Sequence, residues 1–416
     1  MRATSVLMIL LTAAVSCQKP LFSGTPRWMR MQDRYKYMSA PLPKDDSGDT
    51  GGENPEEEGP SVYLSALRFP DGQYWRSGDL SGAHLVLWKD GEEVLDIPAG
   101  HYPEPDRHRI RDGHLWWDDS DGSSTYLYMD EEVLLHYDGD EILRGFLDVD
   151  GDLHTLGQRV GSNGFSYRVN GVEVFSHPSA KVVGSFDDRE WEGGALMRDG
   201  EDVYFTYALP IRSGNETLWE YHVMQGGQPL LTVPAGDAAK VYDIRVWKGS
   251  VYRSEQRGPG GSSLVLVRDN TLLSLGVKDD ETVHLCRLVP SGGEMLVKGY
   301  STRKGQSGYS YWLRGKNGPV QLLDSQFPVA DLYPDNPNRI ALYLENGKIK
   351  EIWGGKRYLN MLPGRYTLYT SACSTLYDGA LYAVLSDATD NSHLLLQGEQ
   401  FRNFTFNGCF TGVRIE

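Results

Sequence analysis

The sequence has little cysteine and an excess of negative over positive charge. Its four cysteines, Cys17, Cys286, Cys373 and Cys409, show no CxxC spacing and no nearby pair of histidines. This argues against a zinc site. The 41 Lys and Arg residues are outnumbered by 57 Asp and Glu, and the formal net charge is −16. We therefore expect no nucleic-acid partner, because such a partner requires a clustered basic surface.

Reaction motifs are also missing. The sequence contains no Gly-x-Ser-x-Gly elbow, no Walker loop, no Gly-x-Gly-x-x-Gly after a strand and no His-Glu-x-x-His. Two aspartate-rich stretches, 119–123 and 148–152, place glycine too early for an EF-hand and coincide with turns that the repeat described below requires. No catalytic residue, metal site or cofactor is predicted, and whether the chain is an enzyme stays open.

What the chain has instead is a repeat. Glycine, one or two further residues, an apolar residue and then Tyr, Trp or His recur at Gly72, Gly113, Gly151, Gly200, Gly249 and Gly379. The first five glycines are 41, 38, 49 and 49 residues apart, which is the length of a propeller blade. In most repeats an apolar strand then runs into a glycine turn and another strand, most clearly over 85–98.

The glycine pattern and the strand-turn-strand segment that follows it each predict two strands, so each repeat should contain four strands. The chain is therefore predicted to be all-β and folded as a β-propeller. Eight four-stranded blades are expected, with seven as the alternative because the seventh unit lacks the opening glycine phrase. The predicted units are 61–100, 101–140, 141–180, 181–239, 240–281, 282–330, 331–364 and 365–406. The tail 409–415 is predicted to pair with the first unit and close the ring. A β-sandwich or a solenoid is the other alternative, disfavoured because neither keeps a period near 40 for over 300 residues.

Aromatic residues occupy repeated positions. Trp88, Trp312 and Trp353 fall at matching places in their units, and His154 takes the aromatic place in its own. We interpret these side chains as packing between blades. Cys373 and Cys409 could join the last unit to the closing strand, although the sequence leaves open whether they form a disulfide.

The N-terminus carries export signals. Met1-Arg2 precedes an apolar run over 6–15 that is too short to cross a bilayer and ends at Ala14-Val15-Ser16-Cys17. This segment resembles the lipobox of bacterial lipoproteins, although Ala14 stands where that family prefers Leu. The resemblance implies that Cys17 is lipidated and that the protein is anchored in the outer membrane, since Gln18 replaces the Asp linked with inner-membrane retention. An ordinary cleaved signal peptide is the alternative.

Residues 18–60 connect this signal to the repeats. A short helix is predicted after Thr25-Pro26, with apolar and basic residues that suit either a membrane surface or docking on the propeller. Residues 39–60 are rich in Pro, Gly and acidic residues, and they are predicted to be a disordered linker that acts as a tether. The predicted organisation is thus a signal peptide over 1–17, a membrane-proximal segment over 18–60 and a propeller over 61–416.

The candidate binding residues come from the connections between second and third strands, which gather on one face of a propeller. Units three to six contribute cations to this face, and units eight, one and two contribute acids. The cations are Arg159, Arg212, Arg257, Arg303 and Lys304, and the acids are Asp387, Asp390, Asp79, Asp118, Asp119 and Asp121. Solvated loop charges without a role are the alternative interpretation.

The resulting hypothesis is an exported, lipid-anchored β-propeller. It would bind or scaffold a protein or a glycan in the cell envelope. The alternative function is a glycan-cleaving hydrolase or lyase on the same scaffold, which would need two carboxylates close together in the central funnel.

Overall fold

The computed structural model describes most of the repeat region. The described residues are 60–71, 81–101, 107–183, 195–236, 240–257, 263–275, 281–291, 293–315, 318–325, 329–333, 340–345, 348–354, 356–360, 366–378, 380–387, 391–398 and 400–416. The predictions about Cys17, the helix after Thr25 and the linker up to residue 59 lie outside them, as do those about Asp79 and Asp390.

The described residues form eight antiparallel sheets, and this arrangement is a β-propeller with eight blades. In blades 2, 3, 5, 6 and 7, four consecutive strands run from the innermost to the outermost position. Blade 2 contains β4 (His108–Arg111), β5 (His114–Ser120), β6 (Ser124–Met129) and β7 (Glu132–Asp138). Blade 3 contains β8 (Glu141–Val149), β9 (Asp152–Arg159), β10 (Phe165–Val169) and β11 (Val172–His177). Blade 5 contains β17 (Lys240–Trp247), β18 (Ser250–Arg257), β19 (Ser263–Arg268) and β20 (Thr271–Ser274). Blade 6 contains β21 (Glu281–Ser291), β22 (Glu294–Arg303), β23 (Tyr309–Gly315) and β24 (Gly318–Ser325). Blade 7 contains β25 (Val329–Tyr333), β26 (Ile340–Glu345), β27 (Lys348–Gly354) and β28 (Lys356–Asn360).

Blades 4 and 8 differ because their innermost strand is in two pieces. Blade 4 contains β12 (Lys181–Val183), β13 (Leu196–Asp199), β14 (Asp202–Ser213), β15 (Glu216–Gln225) and β16 (Gln228–Val233). Blade 8 contains β29 (Tyr366–Thr367), a 3-10 turn (Ser371–Cys373), β30 (Ser374–Tyr377), β31 (Ala380–Asp387), β32 (Ser392–Gln397) and β33 (Gln400–Thr405). In each, both pieces pair with the same second strand. The predicted seventh unit, 331–364, corresponds to blade 7, whose four strands form one sheet. The seven-blade alternative is therefore wrong.

Blade 1 closes the ring with strands from both ends of the repeat region. It contains β1 (Val62–Arg68), β2 (His84–Lys89), β3 (Glu92–Pro98) and β34 (Gly408–Ile415). The order is β3-β2-β1-β34, so the C-terminal strand takes the innermost position. The predicted pairing of the tail with the first unit is confirmed. At the periphery, the Arg402 guanidinium donates to the carbonyls of Asp90 and Gly91 at 3.0 and 3.3 Å, which joins blade 8 to blade 1 a second time.

The repeated glycine phrase is a turn signal. Asp112 and Gly113 have φ angles of 50° and 74°, and Asn170 and Gly171 have 49° and 80°. Two successive positive φ angles define the type I′ turn, whose twist matches that of the flanking strands. The phrase therefore marks the turn between the first and second strands of a blade at Gly113, Gly151, Gly200 and Gly249.

Repeated aromatic residues occupy one structural position. The pairing of third with fourth strand shifts by one residue at Trp88 in blade 1, at Trp312 in blade 6 and at Trp353 in blade 7. Trp88 and Trp312 are buried, and His154 bonds the Tyr167 hydroxyl through Nδ1 at 2.7 Å. The predicted packing between blades is confirmed for Trp88 and Trp312, whereas His154 contacts a residue of its own blade.

Cys373 and Cys409 are both buried, and no disulfide joins them. Cys409 packs with Leu85 and Trp117 between blades 1 and 2, whereas Cys373 packs with Val384 between blades 8 and 1. The two thiols thus lie on opposite sides of the blade 1 sheet, which explains why they form no disulfide.

Candidate binding face

The two ends of the blades form two different faces. Because neighbouring strands are antiparallel, the connections from second to third strand and from blade to blade lie at one end, which we call the loop face. The turns from first to second strand and from third to fourth lie at the other end, the turn face. Arg159, Arg257 and Arg303 are the last residues of β9, β18 and β22, and Arg212 is next to last in β14. The predicted cations therefore lie on the loop face of blades 3 to 6.

These cations differ in how far they are available to a partner. Arg159, Arg212 and Lys304 are exposed, and Arg303 is half-buried. Among the residues that the structure describes, none of these four forms an ion pair within 4.0 Å. Their charge is therefore directed to solvent, where it can attract an anionic ligand.

Arg257 is the exception. Its Nε lies 2.7 Å from Oε1 of Glu255, a carboxylate with no exposed surface, and Arg253 approaches the other carboxylate oxygen at 3.6 Å. The Glu255 charge is thus shared between two arginines. We expect Arg257 to contribute less attraction than Arg159 or Lys304.

Two further cations that sequence reasoning missed lie on the same face. Lys181 and Lys240 are the first residues of innermost strands β12 and β17, and both are exposed. The Lys240 ammonium lies 4.3 Å from the centre of the Tyr242 ring, which holds the side chain in place. No local motif marks these lysines, because their position depends on where an innermost strand begins.

The expected acidic side of the loop face is wrong for three of its residues. Asp118, Asp119 and Asp387 are buried, with 3–4 % of their surface exposed. Asp118 accepts from Arg107 at 2.5 Å and from the Leu143 amide, while Asp119 binds the His101 ring at 2.8 Å. Burial raises the pKa of Asp118, and the Arg107 charge opposes that shift. Asp118 thus joins blade 2 to blade 3 through the Leu143 amide, and none of the three carboxylates forms part of an exposed surface.

Asp121 is exposed but serves its own turn. Its carboxylate accepts from the amides of Ser123 and Ser124 at 2.9 and 2.8 Å, and these hydrogen bonds lower its pKa. Such a bonding pattern is that of an Asx turn. The described loop face is therefore basic in blades 3 to 6, and of the four described acids predicted for its other side only Asp121 is exposed.

Buried ion pairs lie directly beneath the cations in blades 3 and 6. Glu141 pairs across the strands with Arg159, and Glu281 with Arg303, yet both carboxylates bind an arginine of the third strand instead. Arg168 contacts Glu141 at 2.6 Å, and Arg314 contacts Glu281 at 2.5 Å. Because these acids are neutralised by deeper arginines, they leave the charge of Arg159 and Arg303 uncompensated.

The largest feature that the sequence analysis missed is the hairpin formed by β14 and β15. Ten residue pairs join these strands, from Tyr204–Gln225 to Ser213–Glu216, whereas β9 and β10 share five and β18 and β19 share six. The flanking strands stop early, because β12 pairs no further than Ala208 and β16 no further than Tyr221. The part over 209–220 is therefore a two-stranded ribbon that projects from the loop face. The ribbon contains five consecutive residue pairs, and the four steps between them span about 14 Å.

The projecting ribbon carries apolar side chains into solvent. Trp219 and Ile211 are 40 % and 41 % exposed, and every residue over 210–217 is exposed. Register places Trp219 beside Pro210 and diagonally next to Arg212, on the side of the hairpin that belongs to blade 5. The positive φ of Gly214, 63°, provides the tight turn at its tip. One signal was present in the sequence: 181–239 is the longest of the eight predicted units.

The described residues contain no group of three or more His, Cys, Asp or Glu side chains that could hold a metal ion. None of the helical segments among them is long and apolar enough to cross a membrane.

Comparison with known proteins identifies no family for this chain. No protein family matches the sequence, and no curated protein does. Solved structures that resemble the chain include a eukaryotic initiation factor (12 % identity, 79 % of this chain and 85 % of that one, TM-score 0.45). BamB from Moraxella catarrhalis matches at 12 % identity over 68 % of this chain and 94 % of that one, with a TM-score of 0.35. The polysaccharide lyase Uly1 matches at 10 % identity over 85 % and 98 %, with a TM-score of 0.38. With every TM-score below 0.5, the fold assignment rests on the eight sheets of the chain itself.

Proposed function

We propose that this protein is an exported, lipid-anchored binding module of the cell envelope, and that the loop face of blades 3 to 6 binds an anionic partner. The observation that carries the binding proposal is the set of exposed cations on that face. Arg159, Lys181, Arg212, Lys240 and Lys304 come from four consecutive blades, in a chain whose net charge is −16. Cations gathered on one face of an acidic protein steer an anionic partner to that face.

Export and anchoring are supported by the N-terminal sequence. The short apolar run followed by Ala14-Val15-Ser16-Cys17 fits a lipoprotein signal, with Cys17 as the lipidated residue and the outer membrane as the destination. Labelling cells with radioactive palmitate tests this directly. Full-length protein should incorporate label and fractionate with membranes, and Cys17→Ser should do neither. Ser16→Ala, which keeps a small residue before the cysteine, should behave as the wild type.

Capture experiments with charge-reversed variants test the binding face. Full-length protein is solubilised in detergent and used as bait with envelope extract, beside a variant carrying Arg159→Glu, Arg303→Glu and Lys304→Glu. The variant should lose the captured partner, and the wild type should lose it as salt rises. Lys89→Glu, an exposed cation on the turn face, serves as the control and should retain capture. Equal capture by all three proteins contradicts the proposal.

The glycan-cleaving alternative gains no specific support from the described carboxylates. Glu141, Glu281 and Asp118 are each buried and bound to an arginine, so they are held as structural anions. A general acid for glycoside cleavage needs a raised pKa together with access to substrate. Burial raises the pKa of Asp118, but only 4 % of its surface is exposed, so substrate has no access to it.

A further inference from the structure

We propose that the ribbon over 209–220 is the anchor by which the loop face docks a protein, inserting Trp219 into an apolar pocket on an acidic surface of that protein. This inference rests on the proposed binding function and names its partner class. Four properties of the ribbon carry it: its shape, its unpaired edges, its exposed apolar side chains and the charges around it.

The shape favours a protein over a glycan or a small molecule. Small ligands are recognised in concave sites that enclose most of their surface. The ribbon is convex and extends about 14 Å beyond its neighbours. A projecting loop of this kind inserts into a cavity of another protein, as long antibody loops do with concave epitopes.

The ribbon is also poorly stabilised by the propeller itself. Among the residues that the structure describes, no inner strand pairs with it beyond Ala208 and no outer strand beyond Tyr221. An isolated two-stranded hairpin in water is marginally stable, and its free edges invite pairing with another chain. A partner that covers the ribbon would supply the missing burial.

The exposed side chains are those that dominate binding energy at protein interfaces. Trp and Arg are enriched among residues whose truncation costs more than about 2 kcal/mol of binding energy. The ribbon presents Trp219 and Arg212 on one side and Ile211 on the other. An aromatic anchor beside a cation matches a pocket that is apolar at its centre and acidic at its rim.

Charge complementarity selects an acidic partner. Lys240 lies in blade 5 and Lys304 in blade 6, on the side of the hairpin that Trp219 faces, and Arg159 lies in blade 3 on the other side. The ribbon also carries Glu216 and Glu220, but Glu220 is bound to His222 at 2.8 Å. A partner with acidic residues around its pocket would therefore meet cations from both sides of the ribbon.

Site-specific photo-crosslinking tests the inference. A p-benzoyl-phenylalanine residue replaces Trp219 in the full-length protein, and a control protein carries it in place of Leu272. Leu272 is 47 % exposed on the outer strand of blade 5 and is a matched apolar surface position. Cells are irradiated and the adducts are identified by mass spectrometry. We expect a protein adduct at position 219 that is absent at position 272. An adduct that resists protease and is degraded by glycosidases would identify a glycan and overturn the inference, as would equal adducts at both positions.

Affinity measurements with the identified, purified partner complete the test. Trp219→Ala should weaken binding at least about 30-fold, the equivalent of about 2 kcal/mol. Leu272→Ala should change the affinity less than about 2-fold. If Trp219→Ala has no effect but Arg159→Glu with Lys304→Glu abolishes binding, the ribbon proposal fails and the proposed function stands. If neither change affects binding, both fail.

Discussion

The guanidinium of Arg168 and the carboxylate of Glu141 form a buried, two-point ion pair inside blade 3. The nitrogen–oxygen distances are 2.6 and 3.1 Å, and the guanidinium also lies 4.0 Å from the centre of the Tyr137 ring. Both side chains have less than a tenth of their surface exposed. The pair joins the first residue of the innermost strand to the third strand of the same sheet, directly below the loop face.

Removing one partner of this pair should be strongly destabilising. Arg168→Ala leaves the Glu141 carboxylate buried without its cation, and we expect the free energy of unfolding to fall by about 3–5 kcal/mol. Urea unfolding measures this change. Arg159→Ala, in the same blade but exposed, is the matched control and should change stability by less than about 0.5 kcal/mol. Similar losses for both variants would contradict a structural role for the pair.

The packing of Arg402 against Gly91 predicts a second difference in stability. A Cβ added to Gly91 would lie about 2 Å from the Arg402 guanidinium, and the φ angle of Gly91 is 85°. Gly91→Ala should therefore cost about 1–2 kcal/mol for the backbone conformation, and more for the displaced Arg402, whose two hydrogen bonds contribute about 0.5–1.5 kcal/mol each.

Gly122→Ala provides the control for this prediction. Gly122 has a φ of 86° but open space around the added Cβ, so that variant reports the cost of the backbone alone. Gly91→Ala should be the more destabilising by about 1 kcal/mol. This excess should vanish in an Arg402→Ala background. An excess that persists there would show that Arg402 does not join blade 8 to blade 1 as described.

His101 and His177 should titrate on opposite sides of the ordinary histidine range. The hydrogen bond that the His101 ring donates to the Asp119 carboxylate, together with the negative charge of Asp119, raises the pKa of His101. Burial and the nearby His222 lower the pKa of His177. Because folding raises the pKa of His101, its stabilising contribution is complete below about pH 6.5. That contribution is lost as the pH rises through the folded-state value.

Histidine side-chain NMR spectra recorded across a pH series check this order. The resonances are assigned with His101→Gln and His177→Gln, and Asp119→Asn should return the pKa of His101 towards its ordinary value. If His101 lost its proton at or below the pH at which His177 does, the contact with Asp119 would be misassigned.

Much of the fold follows from the sequence because each blade repeats its own turn chemistry. Gly113 and Asn170-Gly171 occupy positions that need positive φ. Such positions favour Gly and Asn, so they can be recognised in one amino-acid sequence. Trp88 and Trp312 also recur at one position of the blade, the residue at which the pairing of third with fourth strand shifts. The interruption of the innermost strand in blades 4 and 8 has no such local signature.

The charged residues were harder to interpret. Asp118 and Asp121 stand in similar sequence surroundings, yet one is buried with Arg107 and the other is exposed in a turn. The difference depends on where the neighbouring blade lies, which no local pattern encodes. The same holds for Arg257, whose partner Glu255 is two residues away and fully buried. The sequence thus indicated the basic side of the loop face without showing which of its charges are compensated.

The central claim is that the loop face of blades 3 to 6 binds an anionic partner. The most direct measurement is the association rate of the captured and purified partner with full-length wild type, with Arg159→Glu combined with Lys304→Glu, and with Lys89→Glu. The account predicts at least about 10-fold slower association and a weaker salt dependence for the double variant, with no change for Lys89→Glu. Equal association rates for all three proteins would contradict it.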